Sequence, residues 1–198
     1  MFIKLGNLFF KYRSYTPLPF VLLMILFINP TGKSIISGLI VAIIGELIRI
    51  WSVSYAGSET RTTSGAGGTF LITQGPYSIV RNPLYIGNVI IYVGMGIMAN
   101  SLFPYLQIFA IIYFLFQYYC IILTEESFLR SKFGVIYDKY FNSVGRIFPS
   151  FKTFPEEIRS SKVLNVSEGM RSEKRTLQSF SVTIIIILIF YFTGARIL

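Results

Sequence analysis

Apolar stretches recur along this chain at Pro17 to Ile28, Ile35 to Val53, Leu84 to Ala99, Phe103 to Leu123 and Leu177 to Thr193, with polar sequence between them. A helix needs roughly 20 apolar residues to cross the ~30 Å hydrocarbon core of a bilayer. The second, fourth and fifth stretches meet that length, and the third meets it when Asn82-Pro83 forms its first turn. The first, bounded by Pro17 and Pro30, is read as a thin span or as an interfacial helix beginning nearer Leu8. Lys4, Lys11 and Arg13 ahead of an apolar core have the look of a signal peptide, but Ile28-Asn29-Pro30 offers no small-residue cleavage site, so the segment is kept as an anchor. Charged residues make up 14% of the chain, against about a quarter in soluble domains. The expectation is an all-α, polytopic membrane protein forming one domain over 1–198, with about five transmembrane helices.

The formal charge of +9 raises nucleic acid as a partner, but the basic residues lie between the apolar stretches, as membrane topology requires. Five spans would put residues 1–16, 54–83 and 124–176 on one side, and that side holds fifteen of the eighteen Lys and Arg. Positive charge marks the cytoplasmic face. The third and fourth stretches, joined by Asn100 to Phe103 next to Pro104, form a tight helical hairpin. Its cytoplasmic ends bring Arg81-Asn82-Pro83 beside Glu125-Glu126. Residues 125–140 read as an amphipathic interfacial helix, and 152–176 as a solvated connector.

Pro83 cannot donate a backbone hydrogen bond and disfavours helix at Asn82, so the chain turns there before the third span. The new helix points free N–H groups at whatever binds beside Asn82 to Tyr85. Arg81 at that depth either meets a carboxylate or phosphate, or snorkels to lipid headgroups. Glu125-Glu126 follow a long apolar run, where an unpaired carboxylate is costly, so they need a cation: Arg81, Arg130 or a ligand. Glu46 and Arg49, three residues apart in the second stretch, are read as neutralising each other. Gly94-Met95-Gly96 is read as a close-packing surface. Gly65-Ala66-Gly67-Gly68 is read as an ordinary loop, since no Lys-Ser or Lys-Thr follows it. The chain has no histidine, so a general base must be a carboxylate, lysine or tyrosine. Its one cysteine, Cys120, lies in an apolar run, so neither a disulfide framework nor a metal site is expected.

Two ordered motifs then become specific. They are Leu71-Ile72-Thr73-x-Gly75-Pro76-Tyr77-x-x-Val80-Arg81-Asn82-Pro83-Leu84-Tyr85-x-Gly87-Asn88, and Glu125-Glu126-x-x-Leu129 continuing through Phe133-Gly134-x-x-Tyr137-x-x-Tyr140 to Val144-x-Arg146-x-x-Pro149. Over residues 45–150 the chain resembles the isoprenylcysteine carboxyl methyltransferase family and its bacterial relatives, neighbours of the phospholipid N-methyltransferases. The resemblance implies an integral membrane methyltransferase that uses S-adenosylmethionine without a Rossmann domain. It places cofactor contacts on Thr69, Phe70, Leu71, Ile72, Tyr77, Asn82, Pro83, Leu84, Tyr85 and the acidic pair Glu125-Glu126. The residues themselves make Glu126, as the base a protonated amine would need, and Arg81, as a ligand for a carboxylate, the candidate catalytic groups. Two positions depart from the eukaryotic pattern. Asn82 stands where those members have histidine, and Cys120-Ile121-Ile122-Leu123 is apolar where they carry an arginine ahead of the acidic pair.

The function expected from residues and resemblance together is methyl transfer to a lipophilic or lipidated acceptor drawn from the bilayer. Carboxyl O-methylation leads, because a carboxylate is already ionised at neutral pH and needs no base. Lipid N-methylation is the runner-up, and a non-catalytic membrane scaffold of the same fold is the third reading. If the positive-inside reading is right, single cysteines introduced at Ser64 and Ser161 react with an impermeant thiol reagent from the same, cytoplasmic side of the membrane. Labelling from opposite sides would dismantle the hairpin argument.

Overall fold

A computed structural model of the chain describes residues 2–57, 70–150, 155–158 and 164–198. Thr69, Ser64, Ser161 and the loop Gly65 to Gly68 lie outside the described residues. Those described form seven α-helices and no named strand: α1 (Phe2–Tyr12), α2 (Leu18–Leu26), α3 (Gly32–Ala56), α4 (Pro83–Ala99), α5 (Tyr105–Phe133), α6 (Val135–Ser143) and α7 (Val166–Thr193). Three of them, α3, α5 and α7, are long and apolar enough to cross a membrane. The protein is an all-α polytopic membrane protein, as its apolar pattern predicts. Asn82 is the N-cap of α4 and Pro83 its first residue, so this helix does take up Asn82-Pro83; its 17 residues rise ~25 Å.

The first apolar stretch does not form a span of its own. α2 has nine residues, ~13 Å of rise, because Pro17 and Pro19 remove the backbone donors that would continue α1. The two helices together cover the height instead, running antiparallel along α5. Thr124 Oγ1 donates to the Ile3 carbonyl at 3.3 Å, the Phe9 ring meets Tyr113 and Phe116, Phe20 meets Phe114, and Ser101 Oγ donates to the Met24 carbonyl at 2.6 Å. From Thr124 back to Tyr105, where α5 begins, is ~29 Å of helix, about the thickness of the hydrocarbon core.

Two other expectations change. The segment 125–140 is not one helix: α5 runs through the acidic pair to Phe133, and Gly134, at φ +51°, ends it and redirects the chain into α6. That backbone region is open to glycine without strain. The connector assigned to 152–176 is in its last part the first three turns of α7, capped by Asn165, whose side chain accepts from the Glu168 N–H at 3.0 Å.

The extension of α7 also overturns the reading of Glu46 and Arg49. Arg49 pairs with Glu173 of α7 at 2.8 Å and donates to Asn88 of α4, while both Glu46 carboxylate oxygens are buried with no hydrogen-bond partner. Glu173 is 1% exposed, so its charge requires a buried cation. Arg49 reaches it straight across the helix interface rather than curling back one turn along its own helix.

α3 and α4 are pressed together through small residues. A Cβ on Gly45 would lie 2.8 Å from the Gly87 carbonyl oxygen, and one on Gly87 would lie 2.6 Å from Arg49 Cγ. Gly94 meets Ala42 in the same way, which bears out the close-packing reading of that glycine. This contact sets α4 in place against α3, and with it the turn that precedes α4. A Gly45→Val protein should therefore show a lowered unfolding midpoint in detergent, by about 2 kcal/mol or more, through collision with α4, whereas Gly134→Ala, with open space around its Cβ but a backbone at φ +51°, should lose about 1–3 kcal/mol through backbone strain alone.

Candidate functional site

The turn ahead of α4 is held by partners far away in sequence. Gly75 to Ser78 forms one 3-10 turn, with Gly75 at φ +58° against the Tyr55 ring, where a side chain would collide. Thr73 donates its hydroxyl to the Ile158 carbonyl at 2.7 Å, and the Tyr140 hydroxyl donates to the Tyr77 carbonyl at 2.7 Å. Val80 pairs with Gly145 in an isolated parallel bridge, the Arg81 N–H donates to the Gly145 carbonyl at 2.8 Å, and Asn82 Nδ2 donates to the Arg146 carbonyl at 3.1 Å. The segment after α6 is thus stitched to the start of α4. The Asn82 side chain does not cap α4, so the first N–H groups of that helix are not taken by it.

Glu126 locks this arrangement. Its Oε1 accepts from Arg81 at 2.9 Å and from Arg146 at 3.0 Å, and its Oε2 accepts from Arg146 at 2.6 Å. Arg81 Nη1 donates to the carbonyls of Phe141 and Val144, its Nε is buried without a hydrogen-bond partner among the described residues, and its guanidinium lies 4.2 Å from the Phe141 ring centroid. Hydrogen bonding to Glu126 raises the Arg146 pKa, so that arm of the bracket stays charged. Glu125, one residue earlier on α5, faces differently. Tyr85 donates its hydroxyl to Glu125 Oε1 at 2.8 Å and stacks on Tyr118 with ring centroids 4.6 Å apart.

A cavity of about 820 Å³ opens from this end into the bundle. Its polar end is lined by Arg13, Tyr77, Arg81, Asn82, Tyr85 and Glu125; its other end by Phe20, Met24, Met95, Leu106 and Phe114. Of the expected site residues, Phe70, Leu71, Ile72, Tyr77, Arg81, Asn82, Leu84, Tyr85, Glu125 and Glu126 all line it. Pro83 does not; it is buried as the first residue of α4. Burial, and secondarily the nearby Glu125, push the Tyr77 phenol well up, so Tyr77 is a hydrogen-bond donor and not a base.

Several lining residues escaped the sequence reading. Asn88 lay inside the first motif without a role, and Arg146, which braces the lining residue Glu126, lay inside the second. Tyr118 was hidden in an apolar run. Arg13 gave no signal beyond its charge, since it stands in the turn between two helices that the sequence did not separate.

Residues 34–135 match the family described as phospholipid methyltransferase. The chain belongs to the phospholipid methyltransferase family. That family includes isoprenylcysteine carboxyl methyltransferase-like proteins, and the matched span takes in α3, α4 and α5. The nickel-cobalt-cadmium resistance protein NccN of Alcaligenes xylosoxydans xylosoxydans is 29% identical over 138 residues, 70% of this chain and 59% of that protein. The cobalt-zinc-cadmium resistance protein CzcN of Cupriavidus metallidurans is 32% identical over 124 residues, 63% of this chain and 52% of that protein. The chain therefore matches little more than half the length of these curated relatives. No solved structure matches it.

Within this phospholipid methyltransferase-family site the ion bracket makes a sharp prediction. Glu126→Gln leaves two arginines facing one neutral amide, and breaking a buried pair costs about 3 kcal/mol or more. Arg81→Lys keeps the charge but gathers its donors on one nitrogen, where Arg81 reaches the two carbonyls from Nη1 and Glu126 from Nη2. Both proteins should show a lowered unfolding midpoint and at least a tenfold loss of turnover. Wild-type stability in both would show that the bracket is dispensable.

Proposed function

We propose that the chain is an S-adenosylmethionine-dependent methyltransferase that works at the cytoplasmic face of the membrane on an amphipathic acceptor, with carboxyl O-methylation as its leading reaction. The observation that carries this reading is the cavity, in which a charged end built from the two family motifs is continuous with an apolar channel. The donor set fits the cofactor. The α4 N-terminus suits its carboxylate, Glu125 its ammonium, Tyr77 and Tyr85 its adenine and, by cation–π attraction, its sulfonium, and Phe70 to Ile72 its apolar surfaces. When bound, the cofactor supplies a sulfonium-borne methyl group, which passes to the acceptor while sulfur keeps the bonding pair.

The protein's own task is then to bind, orient and exclude water. Arg81 and Glu126 act as positioning residues, since both Nη atoms of Arg81 and both carboxylate oxygens of Glu126 are committed to the bracket that holds the α4 N-terminus against α5. The lining carries four arginines, Arg13, Arg49, Arg81 and Arg175, against three glutamates, Glu125, Glu126 and Glu173, and burial pushes the Glu125 carboxyl up to about 7, so the balance at neutral pH is 4 − 3 = +1 or more. A cofactor with a net positive charge adds to that surplus, and an anionic acceptor offsets it. A carboxylate, with an ordinary pKa of about 4, also has no proton to remove. That suits a site whose chain has no histidine and whose Tyr77 stays protonated.

Lipid N-methylation is the second reading. Glu125 faces the cavity and is the group placed to take a proton from an ammonium, and the family's description concerns phospholipids. The relatives named for metal resistance bear on a third point. This chain has no histidine and one cysteine, buried in α5. Any part it plays in such resistance is proposed to run through methylation of a membrane component rather than through holding the ion.

The test uses purified protein, cofactor labelled in its methyl group, and extracted membrane lipids. A carboxyl methyl ester releases its label as volatile methanol under mild alkali, whereas an N-methyl group keeps it. Alkali-stable product would reverse the order of the two enzyme readings. Glu125→Gln should weaken cofactor binding by tenfold or more. Failure of the wild-type protein to bind S-adenosylmethionine would leave only the scaffold.

A further inference from the structure

An unused donor and an unused acceptor lie three residues apart on α3. Both Glu46 carboxylate oxygens and the Arg49 Nε are buried with no hydrogen-bond partner among the described residues. Glu46 is 5% exposed, and Arg49 and Glu173 are close enough to act on it electrostatically. Ala42, Glu46, Arg49 and Val53 recur at steps of four and three, so they fall on one face of the helix. From that face Arg49 reaches across to α7. Its Nη2 donates to the two Glu173 oxygens at 2.9 and 2.8 Å and meets the Thr176 hydroxyl at 3.5 Å, while its Nη1 donates to Asn88. An acid and an arginine three residues apart on a helix are within pairing range, so Arg49 has a second acceptor that it does not use.

Charge decides what this cluster must hold. Two carboxylates share one guanidinium, and a buried carboxylate without a cation is costly, most of all within a membrane span. The cluster is neutral when it carries one proton. Glu173 has Arg49, so the proton is on Glu46. The same proton fits the mirror arrangement, with Glu46 ionised against Arg49 and Glu173 protonated. Between the two, one O–H bond breaks at Glu46 and one forms at Glu173, which lines the cavity and can exchange with water there. Tyr77 of the turn, Tyr92 of α4 and Tyr118 of α5 also feel Arg49, but phenols, with an ordinary pKa of about 10, keep their protons at neutral pH. The two arrangements differ in what they hold. The first ties α7 to α3 by an ion pair, beyond the packing of Gly169 on Ser54 and the bond from the Asn165 N–H to the Ser54 carbonyl at 2.8 Å. The second leaves only those end contacts, while α7 supplies Thr176, Ser179, Phe180 and Thr183 to the cavity wall.

We propose that Glu46, Arg49 and Glu173 form a buried binding site for a single proton with two pairings, in which Arg49 either holds α7 through Glu173 or turns back to Glu46 and releases it. The site is made by α3 and α7, apart from the Glu126 bracket and from the groups assigned to the cofactor. It stands whether or not the protein binds S-adenosylmethionine.

The test uses full-length protein in phosphatidylcholine nanodiscs. In infrared difference spectra against wild type, where the acids common to both proteins cancel, Glu46→Gln should remove one protonated-carboxyl band. Glu173→Gln should remove a band of the same size, because Arg49 then turns to Glu46 and ionises it. Hydrogen exchange in the first turns of α7 should be faster by about tenfold or more in Glu173→Gln and unchanged in Glu46→Gln. Re-pairing also predicts a non-additive cycle. The unfolding constant of the double variant should exceed the product of the two single effects by about tenfold or more, since only there is Arg49 left without a carboxylate. Additive effects overturn the site, as does a Glu46→Gln protein that keeps the band. A band lost in Glu46→Gln but kept in Glu173→Gln makes Glu46 a permanently neutral acid and overturns the second pairing, and unchanged α7 exchange in Glu173→Gln overturns the release. A Glu173→Gln protein that does not fold also overturns the proposal, because the spare carboxylate is what should keep it folded.

Discussion

Glu126 is the carboxylate on which the polar end of this molecule depends. At 8% exposure it would cost several kcal/mol if left alone, because an ion drawn out of water is repaid only by well-placed partners. Arg81 and Arg146 supply them from two separate stretches of chain, one just before α4 and one just after α6. The Arg81 side chain then passes the constraint on, through the carbonyls of Phe141 and Val144 and the ring of Phe141. Three segments that share no secondary structure are thereby fixed to one another by a single carboxyl group. The start of α4 is consequently held open toward the cavity rather than collapsed onto its neighbours.

The neighbouring Glu125 shows how two consecutive acids come to serve different ends. On a helix, successive residues point about 100° apart, so one turns into the bracket and the other into the cavity. Tyr85, rather than an arginine, is the hydrogen-bond donor to Glu125, and a neutral donor leaves its charge to act on whatever enters. Tyr118 braces the Tyr85 ring from behind. The charged end is therefore firm where it must hold the fold and chemically available where it meets a ligand.

Much of this was legible in the residues, and the boundary of legibility is physical. Apolar length reports the surroundings of a helix one element at a time, so α3, α5 and α7 could be read directly, and Pro83 marked the start of α4. The family motifs brought Arg81 and Glu126 to one place. Long-range pairing leaves no local trace: Glu173 looked like part of a solvated connector because its partner Arg49 lies on α3, and Arg49 looked already satisfied by Glu46. The division of the first apolar stretch was hinted at by Pro17 and Pro19, but only the α5 surface decides that α1 and α2 together make up the height. Arg13 could not be assigned without that division.

The glycine contact between α3 and α4 has a consequence beyond stability. Helices whose backbones touch have little room to slide or tilt, because no flexible side chain lies between them to absorb a displacement. One wall of the cavity is therefore stiff, and it is the wall that ends in Tyr85 on the first turn of α4 and in the turn carrying Tyr77 and Asn82. The less constrained elements are the short helix α2 and the apolar part of α7, which is only 6% buried within the protein, although the first turns of α7 are anchored to α3 through Glu173 and Gly169. A chain entering from the bilayer would displace lipid along those elements rather than protein from protein. The molecule resembles a vice with one fixed jaw and one adjustable one, in which altered side chains on the adjustable jaw can change what is gripped while the fixed jaw keeps its alignment.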